Sequence, residues 1–328
     1  MTNENAPENI YPWVTDELLP VAMRLARVDQ LAYEAGALAT HWSRRAPLTI
    51  KQVRRDGMNH LIAEAVSPIP PLAALLFSET INHLRAAIDN ALLIKLESIC
   101  AEPLTEAQIK SVAFPIHTDS DKLAEWTKAS RKKGPKELTE GSLADTILKL
   151  QPLNDKESSA PIYSQLMALG FDSATRGEHP LLLLQAYSNA DKHRQLRLAA
   201  AGAFVMDANG DFAMSLDTAL EAGQTLHSLP VGARAIIDTY PYVAIQRATS
   251  GEWAGIGKEL NALQRYVADT AIPMIMTGLA HPKGLPPQID LDDNVQDLRQ
   301  RLNEGQWTYA HERIGELALS LRTEEDFV

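Results

Sequence analysis

From Pro71 the chain reads "PLAALLFSETINHLRAAIDNALLIKLESI", and its apolar residues recur at helical spacing without a break to about residue 99. That run predicts one long helix, started by the prolines at 68, 70 and 71, around which the rest of the chain must pack. Phe77, Ile81, Leu84, Ile88 and Leu92 fall on one face of it. Ser78, Asn82, Arg85 and Asp89 fall within an arc of about 60°, a quarter turn from that face, at the edge of the surface to be buried. His83 and Asn90 lie beyond the arc, away from the core. Arg85 and Asp89 are four residues apart and so are placed to pair.

The segments around this helix are segregated by type. Thr15 is placed to cap a helix running to about Trp42. Two extended runs about Asp56-Gly57 predict a β-hairpin over 48–66. Residues 100–140 read as irregular apart from a short helix near 122–130, and a helix over 142–150 stops before Pro152. "PLLLLQAYSNADKHRQL" predicts a second core helix from Pro180 to about residue 197, buried in its first turns and emerging at its polar end. Extended runs follow over 198–250, with a turn at Asn209-Gly210. A helix over 257–277 is broken or kinked by Pro273, and helices near 291–303 and 306–321 end the chain. This order predicts an α+β fold with an antiparallel sheet. We expect a flexible N-terminus over 1–14, a single α+β domain over 15–280 whose early hairpin joins the later strands, and a linker with C-terminal helices over 281–328.

Composition narrows the function classes. Of 328 residues, 31 are basic and 42 acidic, for a net charge of −11, which argues against broad non-specific affinity for nucleic acid. A local basic site remains open; the strongest run is "RKKGPK" at 131–136, whose plain reading is a solvated loop. No apolar run reaches the roughly 20 residues that span a bilayer, and the N-terminus is not a secretory signal, so no membrane partner and a cytoplasmic location are expected. The single cysteine, Cys100, precludes an internal disulfide. The scattered histidines have no metal-ligand spacing, so neither metal nor cofactor is expected, and the glycine-rich nucleotide and hydrolase signatures are absent.

A second polar cluster, "SNADKHR", ends the 180–197 helix. Asn189 and His193 share one face, while Asp191 and Arg194 lie about 100° or more away and are spaced to pair with each other. "NHLRAAIDNAL", "FPI" at 114–116, "LQP" at 150–152 and "NADKHR" at 189–194 resemble motifs found in that order in a widespread family of uncharacterised bacterial proteins. Members of that family usually carry a histidine where this chain has Asn90. Arginine, four residues and a histidine on a helix is similar to the signature of the HEPN superfamily, small helical domains that include metal-independent ribonucleases of toxin and phage-defence systems.

The resemblance implies that Arg85 holds a scissile phosphate and that a histidine moves the proton of the 2′-hydroxyl. Asn90 carries no proton at neutral pH, so that carrier would be His193 or His83. Asp89 and Asn90 would complete the catalytic set. Asn82, His83, Asn189, Asp191, Lys192 and Arg194 would contact the RNA. Two other readings stand beside this one. The cluster is a buried structural network in a non-catalytic binding or assembly protein, homo-oligomeric or with a protein partner; or Arg85, Lys192 and Arg194 hold a small anionic substrate.

Overall fold

A computed structural model describes residues 10–162, 176–193, 196–202, 204–207, 212–215, 218–233, 235–238, 241–279, 284–292 and 295–325. A short 3-10 turn over Asp16–Leu18 leads into α1 (Leu19–Arg44). Thr15 makes no side-chain cap there, and the helix proper begins three residues later than its cap position suggests, with Pro20 in its first turn. Tyr11 and Val14 are buried in the core, so residues 10–14 are part of the packed body and not of a loose leader. The hairpin is β1 (Leu48–Arg55) and β2 (Met58–Val66), paired antiparallel. Asp56 and Gly57 both take positive φ, at 48° and 75°, the left-handed pair that a two-residue hairpin turn needs.

The long helix is α2 (Leu72–Ile99), with Phe77, Ile81, Leu84, Ile88 and Leu92 all buried. It packs along α1 and against α6 (Pro180–Lys192). Between these lie α3 (Glu106–Ser111), α4 (Ser120–Lys133), α5 (Ser142–Lys149), β3 (Ala160–Ile162) and β4 (Arg176–Glu178). α3 falls where irregular chain is expected. It is held by a capping box in which Thr105 accepts from the Gln108 amide and Gln108 reaches back, a signal present in "TEAQ". α6 stops at Lys192, short of residue 197, and "RKKGPK" forms the last turn of α4 and the turn after it, with Arg131, Lys132, Lys133 and Lys136 exposed and Pro135 buried.

The strands make several small antiparallel sheets rather than one. They comprise β5 (Leu198–Ala201), β6 (Phe204–Asp207), β7 (Phe212–Ser215), β8 (Thr225–Pro230), β9 (Ala235–Asp238), β10 (Tyr242–Gln246) and β11 (Trp253–Gly255). Their orders are β1-β2-β8, β11-β10-β5, β7-β6-β9 and the pair β3-β4. β2 thus pairs with β8, across 168 residues of sequence between His60 and Ser228, whose side chains also meet at 2.7 Å. The Asn209-Gly210 turn lies outside the described residues. The fold is α+β.

The chain then forms α7 (Ile256–Tyr266), a π-helical stretch over Val267–Ala271, and α8 (Ile272–Thr277). The irregularity precedes Pro273 because proline supplies no N–H to the carbonyl four residues back and crowds it, so the turn before it widens. The C-terminal helices are α9 (Leu298–Asn303) and α10 (Ala310–Glu325). α9 is shorter than the 291–303 pattern suggests: Asp297 accepts from the Gln300 amide and fixes the start there. No helix among the described residues is long and apolar enough to cross a membrane.

His179 caps α6, and its setting gives the fold a pH dependence. Its Nδ1 accepts from the Leu181 amide at 3.1 Å, which leaves Nε2 to donate to Asp155 at 3.2 Å. Burial holds this imidazole below its ordinary range, against the pull of Asp155. Burial also dominates at His83, His117 and His311, each lowered too. A histidine with a depressed folded pKa binds fewer protons folded than unfolded. Its contribution is therefore complete above about 6.5 and is lost as pH falls through the folded value. Burial works against the charge of Asp155, yet bonds from Ser158 and His179 hold it low, and it adds in the same direction in more acid solution. The urea midpoint is expected to fall between pH 7.5 and 5.5, and His179→Gln to flatten that fall. An equal slope in both proteins would refute the assignment to His179.

Candidate functional site

The polar stripe of α2 meets the extended segment at residues 113–117. Phe114, Pro115 and Ile116 are buried there with no strand beside them among the described residues, so their backbone groups need other partners. Side chains supply them. Arg85 Nη2 donates to the Phe114 carbonyl at 2.5 Å, and Asp89 Oδ1 accepts from the Phe114 amide at 2.8 Å. Arg85 and Asp89 are themselves paired at 3.4 Å. Gln151, wholly buried, completes the clamp: its Nε2 donates to the Pro115 carbonyl at 3.0 Å, and its Oε1 accepts from the His117 amide at 3.0 Å. Proline at 115 suits the segment because it brings no N–H that would need a partner.

Three of the four motifs thus interlock as a side-chain substitute for a neighbouring strand. Arg85 and Asp89 are spaced one helical turn apart because they must grip the two polar groups of one residue, Phe114. The stripe is also less dry than its place at the core edge suggests: the side chains of Arg85 and Asp89 keep 22% and 30% of their exposure. Arg85 Nη1 is buried and has no hydrogen-bond partner among the described residues.

The fourth motif joins α2 one turn earlier. Asn82 Nδ2 donates to Asp191 Oδ2 at 3.2 Å, and more weakly to Ser78 Oγ at 3.5 Å. α6 is held there because Phe77 and Tyr187 meet edge-on beneath that contact, ring centres 4.9 Å apart. Asp191 therefore takes Asn82 as partner, whereas its spacing to Arg194 suggested a local pair; Arg194 lies outside the described residues. Asn189, Lys192 and His193 are exposed around this turn. His193, at the C-cap of α6, donates its amide to the Ala190 carbonyl at 3.1 Å.

His83 departs from the sequence expectation. It is half-buried and faces α1, where its Nδ1 takes a hydrogen bond from Arg24 at 3.2 Å. Burial, then Arg24 and Arg27, hold it below its ordinary range. It thus belongs to the α1–α2 seam and not to the Asn82–Asp191 side. Asn90 is half-buried beside Asp89 on α2. Arg85 bonds to its own helix and to residue 114, while the contact to α6 is made by Asn82. Among the described residues no group of three or more histidine, cysteine or acidic side chains could hold a metal ion.

Sequence reasoning missed a wholly buried charge, Arg247. Arg247, just past β10, is wholly buried and forks onto Glu259 of α7 through Nε (3.0 Å) and Nη2 (2.6 Å). Tyr187 donates its hydroxyl to the same carboxylate at 2.7 Å, and Arg247 also donates to the Ala160 carbonyl at 3.0 Å. Nothing in "YVAIQRA" distinguishes Arg247 from an arginine at an exposed strand end. The only signal was a charged residue directly after a strand of buried aliphatics. No protein-family model, no curated protein and no solved structure matches the chain.

Proposed function

We propose that this is a non-catalytic binding or assembly protein in which the Arg85–Asp89 pair is a structural clamp. The observation that carries this reading is the engagement of both side chains by one buried residue, Phe114, through its carbonyl and its amide. An arginine that must hold a backbone oxygen at 2.5 Å is poorly free to follow a phosphate through a reaction. Gln151 performs the same duty one residue on, and it has no chemistry to offer as acid or base.

RNA cleavage of the HEPN type is the second reading, favoured by one specific feature. The Asn82–Asp191 bond draws the two polar motifs together and leaves Lys192 and His193 open to solvent beside them. There His193 would carry the proton and Lys192 would meet the phosphate. Mixed RNA incubated with the protein in a chelator separates the two readings. We expect no cleavage above the buffer background from the native chain, while Arg85→Ala lowers the urea midpoint by about 1–3 kcal/mol of stability through the unmet Phe114 carbonyl. Chelator-resistant cleavage that disappears in both Arg85→Ala and His193→Ala would reverse the order of the two.

A further inference from the structure

One face of α4 lines a groove of about 560 Å³ that is open to solvent and has Leu148 of α5 across from it. The α4 positions along it are 120, 123, 124, 127, 128, 131 and 132, the spacing of a single helical stripe. The stripe changes character along its length. Leu123 and Ala124 make its early part apolar, and Lys128, Arg131 and Lys132 make its later part basic. On α5, Leu143, Ala144 and Ile147 are buried in the core, while Leu148 keeps 40% of its exposure. A lone exposed leucine is ordinary. This one faces an apolar strip of another helix, so the two together form a floor that a third element would cover.

The charges beside the floor are open to a partner. Lys128, Arg131 and Lys132 are exposed and make no hydrogen bond or ion pair among the described residues, and no carboxylate lines the groove. Elsewhere on this chain of net charge −11, exposed cations stand against acids, as Lys51 does with Glu64 and Arg265 with Glu312. Cations in the last turns of a helix also suit its dipole. That effect accounts for neither the apolar strip next to them nor Leu148. The floor is aliphatic and offers no ring on which a base could stack, which sets a peptide above a nucleic acid. An acyl chain would stay largely wet in so open a groove. An amphipathic helix, in contrast, buries one face in such a groove and keeps the other in water.

We propose that this groove docks an acidic amphipathic helix of a partner protein. Its apolar side chains sit on Leu123, Ala124 and Leu148, and its carboxylates meet Lys128, Arg131 and Lys132. The inference is independent of how the Arg85–Asp89 pair is read, because neither residue lines the groove. The RNA assay reports on that pair, and a peptide selection reports on this face. A displayed library of random 14-residue peptides, each the length of α4, is selected against the full chain. Enriched sequences are expected to combine aspartate or glutamate with leucine, isoleucine or phenylalanine at helical spacing. In fluorescence anisotropy the best of them is expected to bind saturably. The double variant Arg131→Glu with Lys132→Glu is expected to weaken it by about tenfold or more, since two attractions become two repulsions. Leu148→Ser, which removes part of the floor, is expected to weaken it by about threefold or more. Arg54→Glu with Arg55→Glu makes the same change of net charge on exposed residues of β1 and is expected to leave binding unchanged. A single-stranded oligouridylate of equal charge is expected to bind more weakly than the peptide. The proposal is overturned if enrichment shows no acidic and apolar pattern, or if either groove variant binds as the native chain does. It is equally overturned if the β1 variant loses as much as the groove variant, or if the oligouridylate binds as tightly as the peptide.

Discussion

Glu259→Ala is expected to cost about 3–5 kcal/mol, most of the stability of an ordinary domain. Removing the carboxylate leaves Arg247, which retains none of its surface, as an uncompensated cation in the interior. It also orphans the Tyr187 hydroxyl, which has Glu259 as its acceptor. Glu178, 3.8 Å from Arg247 Nη1, can offset only part of that charge, because its two oxygens already accept from Thr249 and Ser250. A buried ion pair is nonetheless not by itself a large net gain, because both charges were taken out of water to make it. The double replacement Arg247→Met with Glu259→Leu should therefore recover part of what the single change loses. Urea unfolding followed by circular dichroism reads both effects. A loss below about 1 kcal/mol for Glu259→Ala would mean that water reaches Arg247, contrary to its burial.

That pair also marks where the sequence stops being informative. The 71–99 helix and the hairpin at Asp56-Gly57 are legible because each is written in local periodicity and turn chemistry, which need no knowledge of distant residues. α3 was legible in principle, through Thr105 and Gln108, but six residues give too little apolar period to notice. The division of the strands into small sheets depends on which distant strands meet, as β2 and β8 do, and no local pattern carries that. At the candidate site the i,i+4 pairing of Arg85 with Asp89 could be read from spacing alone. Its purpose could not, because the partner is backbone at Phe114, and backbone partners leave no side-chain signature. Asp191 shows the same limit: it takes a bond from Asn82 across 109 residues, a partner that no local spacing announces.

Phe77→Ala carries the other large expected effect, a loss of about 3–5 kcal/mol from a buried aromatic that leaves a cavity behind. Phe77 is wholly buried, and its ring meets that of Tyr187 at 84°, the edge-to-face arrangement that aromatic pairs favour. The consequence reaches the site, because this contact sets the separation of α2 from α6 next to Asn82 and Asp191. Loss of the ring should let Tyr187 shift toward the vacated space and lengthen its bond to Glu259, so the aromatic pair and the buried ion pair share one residue. Changes that share a partner do not add. The combined variant, Phe77→Ala with Glu259→Ala, is therefore expected to cost less than the sum of its parts, by about 0.5 kcal/mol or more. Strict additivity in a double-mutant cycle would show that Tyr187 does not transmit between them, and that α6 is held to α2 and to α7 by two separate sets of contacts.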